Sequence, residues 1–409
     1  MRKSGHLKVL IGEFVSVVRN ELKAVFTDAG VILILLGAVV IYSTAYSYAY
    51  STEVLREVPI AVVDDCRTPE SREFIRSLDA GPNINVVYKP QSLEEAKAMF
   101  YKREVYGIVV IPGNFAKNLY TTEKAHISIY ADASYFLIYK QVFYDVALAM
   151  MEKNTEIKVE RYLANGIPYE QAAAISDPVR VTSSALFNPY LGYGTFVMPA
   201  ILVLIIQQTL LIAIGMVGGT WRERGLYGRL VPAGREHLSV FPVILGKSAV
   251  YILTSLVTMV YLFGFQYKLF HLPQNGNTGD LAIFMLPYLL SVIFLGIALS
   301  TAFRRRETSI ILLLFTSIPL LMLSGVSVPV EAMPGWLATL GKIVPSTSGI
   351  NGFIRIQTMG ATIKDVLSEY ALLWVLAAAY FLLAYAGVRR LTREIKKQGT
   401  NDPANKNTY

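Results

Sequence analysis

Few residues in this chain have the types and spacing that metal binding or catalysis requires. The four histidines are far apart and form no H-E-x-x-H or similar ligand pattern: His6, His126, His237 and His271. Asp64-Asp65 and Asp132 follow or end strand-like runs and could bind a cation. Carboxylates at strand ends are more often turn formers, and we adopt that interpretation. The sequence therefore does not support metal-dependent hydrolysis.

Two further features resemble reactive motifs without completing them. Gly246-Lys247-Ser248 looks like the end of a phosphate-binding loop, but the full pattern G-x-x-x-x-G-K-[ST] needs a glycine where this chain has Phe241. We interpret Lys247 as marking the cytoplasmic end of an apolar helix. Cys66 is the only cysteine, so it cannot form an internal disulfide, and we interpret it as a structural residue.

The elements that would position any site are mostly membrane helices. Crossing the hydrocarbon core takes about 20 mostly apolar residues, and charges at the centre of such a stretch are costly. Six stretches meet both conditions: Val31 to Tyr50, Thr195 to Val217, Ser248 to Tyr267, Leu281 to Phe303, Ser309 to Val326 and Tyr370 to Val388. Hydrophobic residues make up 53% of the chain and charged residues only 17%, which agrees with a membrane protein.

The net charge of +8 is distributed unevenly between the two predicted sides of the membrane. With both termini in the cytoplasm, residues 1–29, 219–247, 304–307 and 389–409 contain 19 Lys and Arg against 8 Asp and Glu. The rest of the chain contains 19 basic and 22 acidic residues. This is the asymmetry of the positive-inside rule. We therefore assign the basic clusters to topology and to membrane lipid headgroups, and expect no nucleic-acid partner.

The predicted fold class is an α-helical polytopic membrane protein with six transmembrane helices and an inserted extracytoplasmic α/β domain. The predicted organisation follows the chain: a cytoplasmic amphipathic helix (1–29), the first transmembrane helix (30–50), the extracytoplasmic α/β domain (51–190), a five-helix transmembrane domain (191–388) and a cytoplasmic basic tail (389–409). Within the five-helix domain, residues 219–247 form a cytoplasmic loop and residues 327–369 an outer loop. The first helix is predicted to lie on the membrane surface because its apolar residues recur at helical spacing.

Strands and helices alternate in the predicted outer domain, which favours a small α/β sheet. The expected strands are Ile60–Val63, Asn85–Tyr88, Tyr106–Ile111 and Ile127–Tyr130. The expected helices are Glu70–Leu78, a helix capped by Ser92 that runs to about Arg103, Phe115–Leu119, Tyr135–Leu163 and Glu170–Ile175. Ser92 followed by Glu95 is the spacing of a capping box.

Polar residues inside the second span indicate either a transport pathway or a contact between helices. Gln207 and Gln208 lie at mid-span, where an amide that faced lipid would lack hydrogen-bond partners. Both interpretations stay open. Prolines within three of the spans, Pro199, Pro287 and Pro319, are expected to kink their helices.

The segment between the second and third spans carries the strongest local pattern. Glu223, Gly225, Leu230 and Pro232, followed by Gly246-Lys247 at the start of the next span, resemble a pattern in the permease subunits of ABC-2 type exporters. The similarity extends to Phe187-Asn188-Pro189, to Val109 through Phe115 and to the outer loop, which includes Pro329, Met333, Pro334, Trp336 and Pro345. The order of one span, an outer domain and five spans is also that of the family.

The resemblance implies a half-transporter of the bacterial plasma (inner) membrane. It implies a separate cytoplasmic ABC ATPase, with ATP and Mg bound there and no cofactor on this chain. It also implies a second permease half, either an identical copy or a close paralogue, with a periplasmic adaptor as a further partner. The family's coupling helix, which docks in the ATPase, would correspond here to Trp221, Arg222, Glu223, Arg224, Gly225, Leu226 and Tyr227. In the family, the outer loop dips partly back into the bilayer.

The expected function is thus ATP-driven export of a hydrophobic or amphipathic substrate, without enzymatic activity in this chain. The alternative is a membrane-anchored receptor or scaffold whose outer domain binds a cell-envelope partner, although one span would suffice for anchoring. A membrane-embedded transferase is a weaker third hypothesis, because no carboxylate or histidine lies within a span.

Overall fold

The chain forms two compact units. The computed structural model describes residues 2–121, 123–178, 184–189, 191–225 and 240–400, with side chains from Val9 to Glu394 within those ranges. Leu226, Tyr227, Leu230 and Pro232 lie outside the described residues. One unit comprises Met1–Glu53 and Ala185–Tyr409, and the other comprises Val54–Ser184.

Among its described residues, the first unit contains six helices that are long and apolar enough to span a membrane, as predicted. They are Ala29–Ala49, Tyr193–Glu223, Val240–Leu269, Thr278–Ser300, Arg306–Leu323 and Leu367–Glu394. The last belongs to a longer helix, Leu367–Thr400, so the predicted basic tail continues the sixth span as helix up to that residue. The part of the predicted fold class that describes a polytopic, mainly helical membrane protein is confirmed.

The second span is the centre of this unit. Its apolar window is 94% buried, against 11% for the fifth span. Gly215 and Gly219, spaced as G-x-x-x-G, allow the fifth-span helix to approach closely. A Cβ built on Gly219 would lie 2.7 Å from the backbone nitrogen of Arg306, and one on Gly215 would lie 2.7 Å from the Cβ of Ser309. Side chains larger than hydrogen would separate these two helices.

Several spans are irregular. The fifth is divided into Arg306–Phe315 and Ser317–Leu323 by Thr316, three residues before Pro319. This matches the predicted kink, because proline lacks the N–H that would bond the carbonyl four residues earlier, and its ring also crowds that carbonyl. Pro199 and Pro287, by contrast, lie inside continuous helices. Wide π-helical turns, which the sequence did not predict, occur at Leu33–Ala38 and Val260–Gln266 within the first and third spans.

The N-terminal helix, Arg2–Thr27, packs against the third span rather than only lying on a membrane surface. Val17, Glu21 and Val25 lie on one face and are each at most 2% exposed. Glu13 is also buried. The helix predicted to lie on the membrane surface therefore has one face packed against the third span. Its apolar stripe contains a carboxylate whose partner belongs to a distant span.

Two short helices follow the fifth span in the segment predicted to be an outer loop. They are Gly335–Ile343 and Pro345–Phe353, and a π-helical turn, Ile354–Thr358, ends the second. Most of the second short helix is buried, and it contacts the second, fourth and sixth spans. This segment is therefore packed structure within the first unit.

The second unit is an α/β module around a four-stranded sheet. Its strands are β1 (Val58–Asp64), β2 (Ile84–Tyr88), β3 (Gly107–Ile111) and β4 (Ser128–Ala131), in the order β2-β1-β3-β4. β1 pairs in parallel with β2 and β3, whereas β4 is antiparallel to β3. The central β1 is almost wholly apolar because it is buried on both faces.

Helices cover both faces of this sheet. They are Pro69–Asp79, Leu93–Tyr101, Phe115–Tyr120, Phe136–Ala164 and Tyr169–Ser176, each within a few residues of its prediction. Ser92 caps its helix by accepting from the backbone N–H of Glu95. The Glu95 side chain, however, accepts from Gln91 instead of returning to Ser92, so the predicted capping box is shifted by one residue. A complete capping box, not predicted, joins Thr68 and Ser71.

Because the second and fifth spans approach closely, one methyl group added at their contact should strongly lower the stability of the protein. We expect Gly219→Ala to destabilise the protein by about 1–3 kcal/mol, because its Cβ meets backbone atoms that cannot rotate away. The control is Gly264→Ala in the third span, where a Cβ meets nothing within 4 Å. Thermal unfolding in detergent measures both. Equal melting temperatures of the two variants would contradict the proposed close packing.

Candidate functional site

The candidate site lies where the second span ends. The helix continues beyond Val217, where the span was predicted to end, as far as Glu223. Gly225 follows with φ +61°, a left-handed conformation that favours glycine. The first part of the predicted coupling segment is therefore a rigid extension of the central span. Leu226 and Tyr227 belong to the stretch that lies outside the described residues.

Trp221 faces the interior of the unit. Its side chain is 7% exposed, and the Nζ of Lys247 lies 5.2 Å from the centre of its ring. This distance is typical of a cation–π contact. The resemblance assigned Trp221 to the coupling helix that docks in the ATPase, but its ring lies in the core of this chain, where it supports the end of the helix.

Lys247 also forms an ion pair that is almost completely withdrawn from solvent. Its Nζ donates to both carboxylate oxygens of Glu21, at 3.0 and 2.8 Å, and the Tyr251 hydroxyl donates to the same carboxylate at 2.8 Å. The Lys247 and Glu21 side chains are 7% and 0% exposed. Lys247 therefore does more than mark the end of the third span. It holds the N-terminal helix and the second span to that span.

Arg222 and Glu223 connect the end of the second span to three other spans. Arg222 donates to the carbonyl oxygen of Thr301 at 3.1 Å and to the Glu394 carboxylate at 3.2 Å. Glu223 accepts a bond of 3.3 Å from the backbone N–H of Arg306. Thr301 and Arg306 flank the connection between the fourth and fifth spans, and Glu394 lies at the end of the sixth. The end of the second span is therefore hydrogen-bonded to the ends of three other spans.

A second ion pair lies at the start of the first span. Arg306 donates to both carboxylate oxygens of Asp28, at 3.0 and 3.2 Å, and Asp28 caps the helix by accepting from the N–H groups of Gly30 and Val31. Partial burial acts to raise the pKa of Asp28, but hydrogen bonds from Arg306 and Val31 outweigh it, so the pKa lies below its usual range. The stabilisation is thus present at neutral pH and is lost only as the pH falls through this lowered value.

A cavity of about 640 Å³ opens beside these residues. Its lining combines the N-terminal helix, the start of the first span and the end of the second, including Lys23, Asp28, Thr220, Trp221, Arg224 and Arg306. Glu223, Arg224 and Gly225 are exposed to solvent. This end of the unit therefore exposes charged groups, and the buried residues beneath them are held by ion pairs and hydrogen bonds.

The two glutamines of the second span have different surroundings. Gln207 is fully buried and donates through Nε2 to the Ser346 hydroxyl at 3.2 Å, so it does connect two helices. Gln208 is 7% exposed, and neither atom of its amide has a hydrogen-bond partner among the described residues. A buried amide without a partner is costly, so Gln208 requires an explanation other than helix packing.

The predicted outer-loop residues include three prolines at the starts of helical turns and one exposed tryptophan. Pro329, Pro334 and Pro345 each lie at the beginning of a helical turn, where the absent N–H of proline is not missed. Met333 is half-buried, whereas Trp336 is 70% exposed. An exposed tryptophan is typical of the membrane–water interface.

The aspartates of the module that could have bound a cation instead stabilise turns. Asp64 accepts from the backbone N–H groups of Cys66 and Arg67 and from the Ser71 hydroxyl. Asp132 accepts from the N–H of Ser134. Both carboxylates thus form turns, as preferred from the sequence. Cys66 is partly buried and accepts through Sγ from the N–H of Ala116.

Sequence reasoning missed four residues of the site. Glu21, Asp28, Thr301 and Glu394 drew no attention, and Arg306 was read only as part of a basic cluster. One signal was available, since Glu21 lies four residues from both Val17 and Val25 and so had to share their apolar face. The other contacts join positions remote in sequence and left no local pattern.

The six apolar helices, with their ends joined on one side by a polar network, define the class of polytopic membrane permeases. Residues 29–386 match the family described as ABC-2 family transporter protein, and the chain belongs to that family.

Among curated proteins, the chain is similar to the Escherichia coli (strain K12) protein named "Probable multidrug ABC transporter permease YbhR", with 22% identity over 92% of this chain and 98% of that one. It is 23% identical to the "Inner membrane transport permease YhhJ" of the same organism, over 91% and 95% of the two chains. It is 21% identical to the "Linearmycin resistance permease protein LnrN" of Bacillus subtilis (strain 168), over 81% and 88%.

The buried ion pair predicts a sharp difference between single and double variants. We expect Lys247→Met to destabilise the protein by about 3–5 kcal/mol, because the Glu21 charge then stays buried without its cation. Adding Glu21→Gln removes that charge and keeps an acceptor for Tyr251, so the double variant should regain at least half of the loss. Thermal unfolding in detergent measures both. A double variant no more stable than Lys247→Met would show that the pair is not coupled.

Proposed function

We propose that this chain is the membrane subunit of an ATP-driven exporter. A separate cytoplasmic ABC ATPase would bind ATP and Mg, and this chain, without enzymatic activity of its own, would carry the path for a hydrophobic or amphipathic substrate. Family membership and relatives named as permeases support a transporter subunit. The names of two relatives refer to multidrug transport and to linearmycin resistance, which supports a role in transport.

The observation that carries the coupling proposal is the continuous helix from the span centre to Glu223. Because the helix is unbroken, a force applied at its end moves the central span as a whole. The bonds of Arg222 and Glu223 extend that movement to the fourth, fifth and sixth spans. Glu223 and Arg224 are exposed and charged, so they are the groups we assign to direct contact with the ATPase.

The proposed orientation follows from charge. The helix ends that carry Arg222, Arg306 and Arg390 would face the cytoplasm, together with both termini, as the positive-inside rule favours. The segment Val54–Ser184, inserted between the first and second spans, would then lie outside the bacterial inner membrane as an extracytoplasmic domain. Trp336 would lie at the outer interface.

A second permease half, identical or closely related, would complete the path. The fifth span supports this, since its apolar window is only 11% buried and Phe315 and Ile318 are more than 70% exposed. Such a surface is suited to lipid or to another apolar helix. A periplasmic adaptor would be a further partner of the outer domain.

We expect Glu223→Arg to lower ATP-driven export by about fivefold or more, the lower range of coupling energies between sites. The substitution reverses an exposed charge and removes the acceptor of the Arg306 N–H. Export of a hydrophobic dye from vesicles measures it, with a candidate partner ABC ATPase coexpressed. Glu331→Arg, an exposed charge reversal in the outer segment, is the matched control and should transport normally.

Copurification with that ATPase tests the exporter proposal itself. The wild-type chain should copurify with it, and Glu223→Arg should copurify less. If the wild type never associates with an ATPase, the proposal fails. Transport by Glu223→Arg equal to that of Glu331→Arg would remove the role assigned to Glu223 alone.

The unpaired amide gives a separate test of the transport path. We expect Gln208→Leu to stabilise the protein by about 1–3 kcal/mol, because it removes a buried amide without partners, and yet to reduce export. Gln207→Leu, which breaks the bond to Ser346, is the control and should not stabilise. Thermal unfolding and dye export are measured on the same preparations. If Gln208→Leu is destabilising, Gln208 is a packing residue and not part of the path.

A further inference from the structure

The α/β module contains a pocket that the transporter proposal leaves unused. It has a volume of about 420 Å³ and lies beside β1 and the helix Pro69–Asp79, next to the residues that follow β2. Val62, Ile75 and Pro90 contribute buried side chains to its lining. The carboxyl ends of parallel strands are the usual place for a ligand in α/β sheets. The volume is within the range of pockets for small molecules.

The lining of this pocket is strongly basic. Arg67, Arg72, Arg76 and Lys89 line it, against the single carboxylate of Asp64. The surrounding unit, Val54–Ser184, contains 15 Lys and Arg and 17 Asp and Glu, so it is slightly acidic overall. The basic residues are therefore concentrated at the pocket and do not reflect a generally basic surface.

Most donors of these four side chains are unused within the described residues. The side chains of Arg76 and Lys89 form no hydrogen bond or ion pair with the described residues, and the Arg72 side chain donates only to the carbonyl oxygen of Arg67, at 3.4 Å. Arg67 donates to Gln91 Oε1 at 2.7 Å. Four cations that share a lining with one carboxylate leave an excess of positive charge, so the arrangement favours an anion from outside.

The nearby carboxylates are already occupied. Both oxygens of Asp64 accept hydrogen bonds from the turn that follows β1, and Glu95 is bonded to the N–H of Gln91. The bond from Arg67 N–H to Asp64 holds Arg67 at φ +57°, a left-handed conformation that is costly for a residue other than glycine. Backbone strain of this kind persists where the surrounding structure fixes a functional group.

We propose that this pocket binds a phosphate-bearing anion. Three guanidinium groups suit phosphate oxygens, which accept pairs of N–H donors, and Lys89 adds a compact charge. A phosphate ester carries close to two negative charges at neutral pH and so balances most of the excess of three positive charges in the lining, which a single carboxylate cannot do. The phosphate belongs either to a soluble ester or to a lipid headgroup.

The experiment uses the full chain in nanodiscs of phosphatidylcholine. Inorganic pyrophosphate is titrated in a calorimeter, with inorganic phosphate as a second probe. We expect saturable binding that Arg72→Gln/Arg76→Gln weakens by about tenfold or more, since each charge-assisted bond contributes substantially. Both arginines are exposed, so the fold should persist. Lys89→Gln, with the same direction of effect, is the second variant if the double variant unfolds.

The matched control is Lys97→Gln/Lys102→Gln, which removes two exposed charges of the same module outside the pocket lining. It should bind within about twofold of the wild type. Nanodiscs that contain phosphatidic acid, whose headgroup is a phosphate monoester, identify the source: reduced pyrophosphate binding there indicates a headgroup, and unchanged binding indicates a soluble ester. The proposal is overturned if neither probe nor phosphatidic acid binds, or if the two double variants lose affinity equally. No ATPase or transport is needed, so these results are independent of the exporter proposal.

Discussion

The second span is enclosed by other helices, and this enclosure governs the rest of the membrane unit. In an apolar environment every polar group on a buried helix needs a partner from the protein, because water is absent. The span meets this requirement differently along its length. Small residues admit neighbouring backbones, Gln207 bonds Ser346, and the last turn uses Trp221, Arg222 and Glu223 to contact charged groups of the surrounding helices. Single atoms of Gln207 and Thr220 lack a partner among the described residues, whereas at Gln208 both the amide nitrogen and the amide oxygen lack one, which is why we propose it for the transport path.

The buried pair of Glu21 and Lys247 explains how an N-terminal helix becomes part of a membrane unit. Two isolated charges would be expensive to bury, but here each is the other's partner and Tyr251 provides a further bond. Lys247 also contacts the ring of Trp221. The pair is therefore less a source of net stability than a means of fixing one position of the N-terminal helix against the two spans that flank the proposed coupling segment.

The sequence was sufficient for elements whose signal is local. Apolar stretches predicted all six spans, since length and the absence of central charges decide whether a helix can cross a bilayer, and the alternation of strands and helices predicted the elements of the α/β module. It was insufficient where partners are distant. Glu21 and Lys247 are 226 residues apart, and Asp28 and Arg306 are 278 apart, so no window of sequence could pair them. For the same reason Trp221 was assigned to contact with the ATPase. An aromatic residue among charged residues has the same sequence pattern in an exposed loop as at a buried helix end.

The basic pocket and the basic helix ends show that similar residues respond to different constraints. Near the ends of the spans, Arg222 and Arg306 each have a carboxylate partner, because a cation beside apolar helices is costly unless it is paired. In the module, Arg76 and Lys89 can stay without one among the described residues, because they are exposed to water. Paired cations of the first kind hold a framework together, whereas unpaired cations around an apolar floor retain their capacity to bind. We therefore assign the same residue types a structural role in the membrane unit and propose ligand recognition for them in the module.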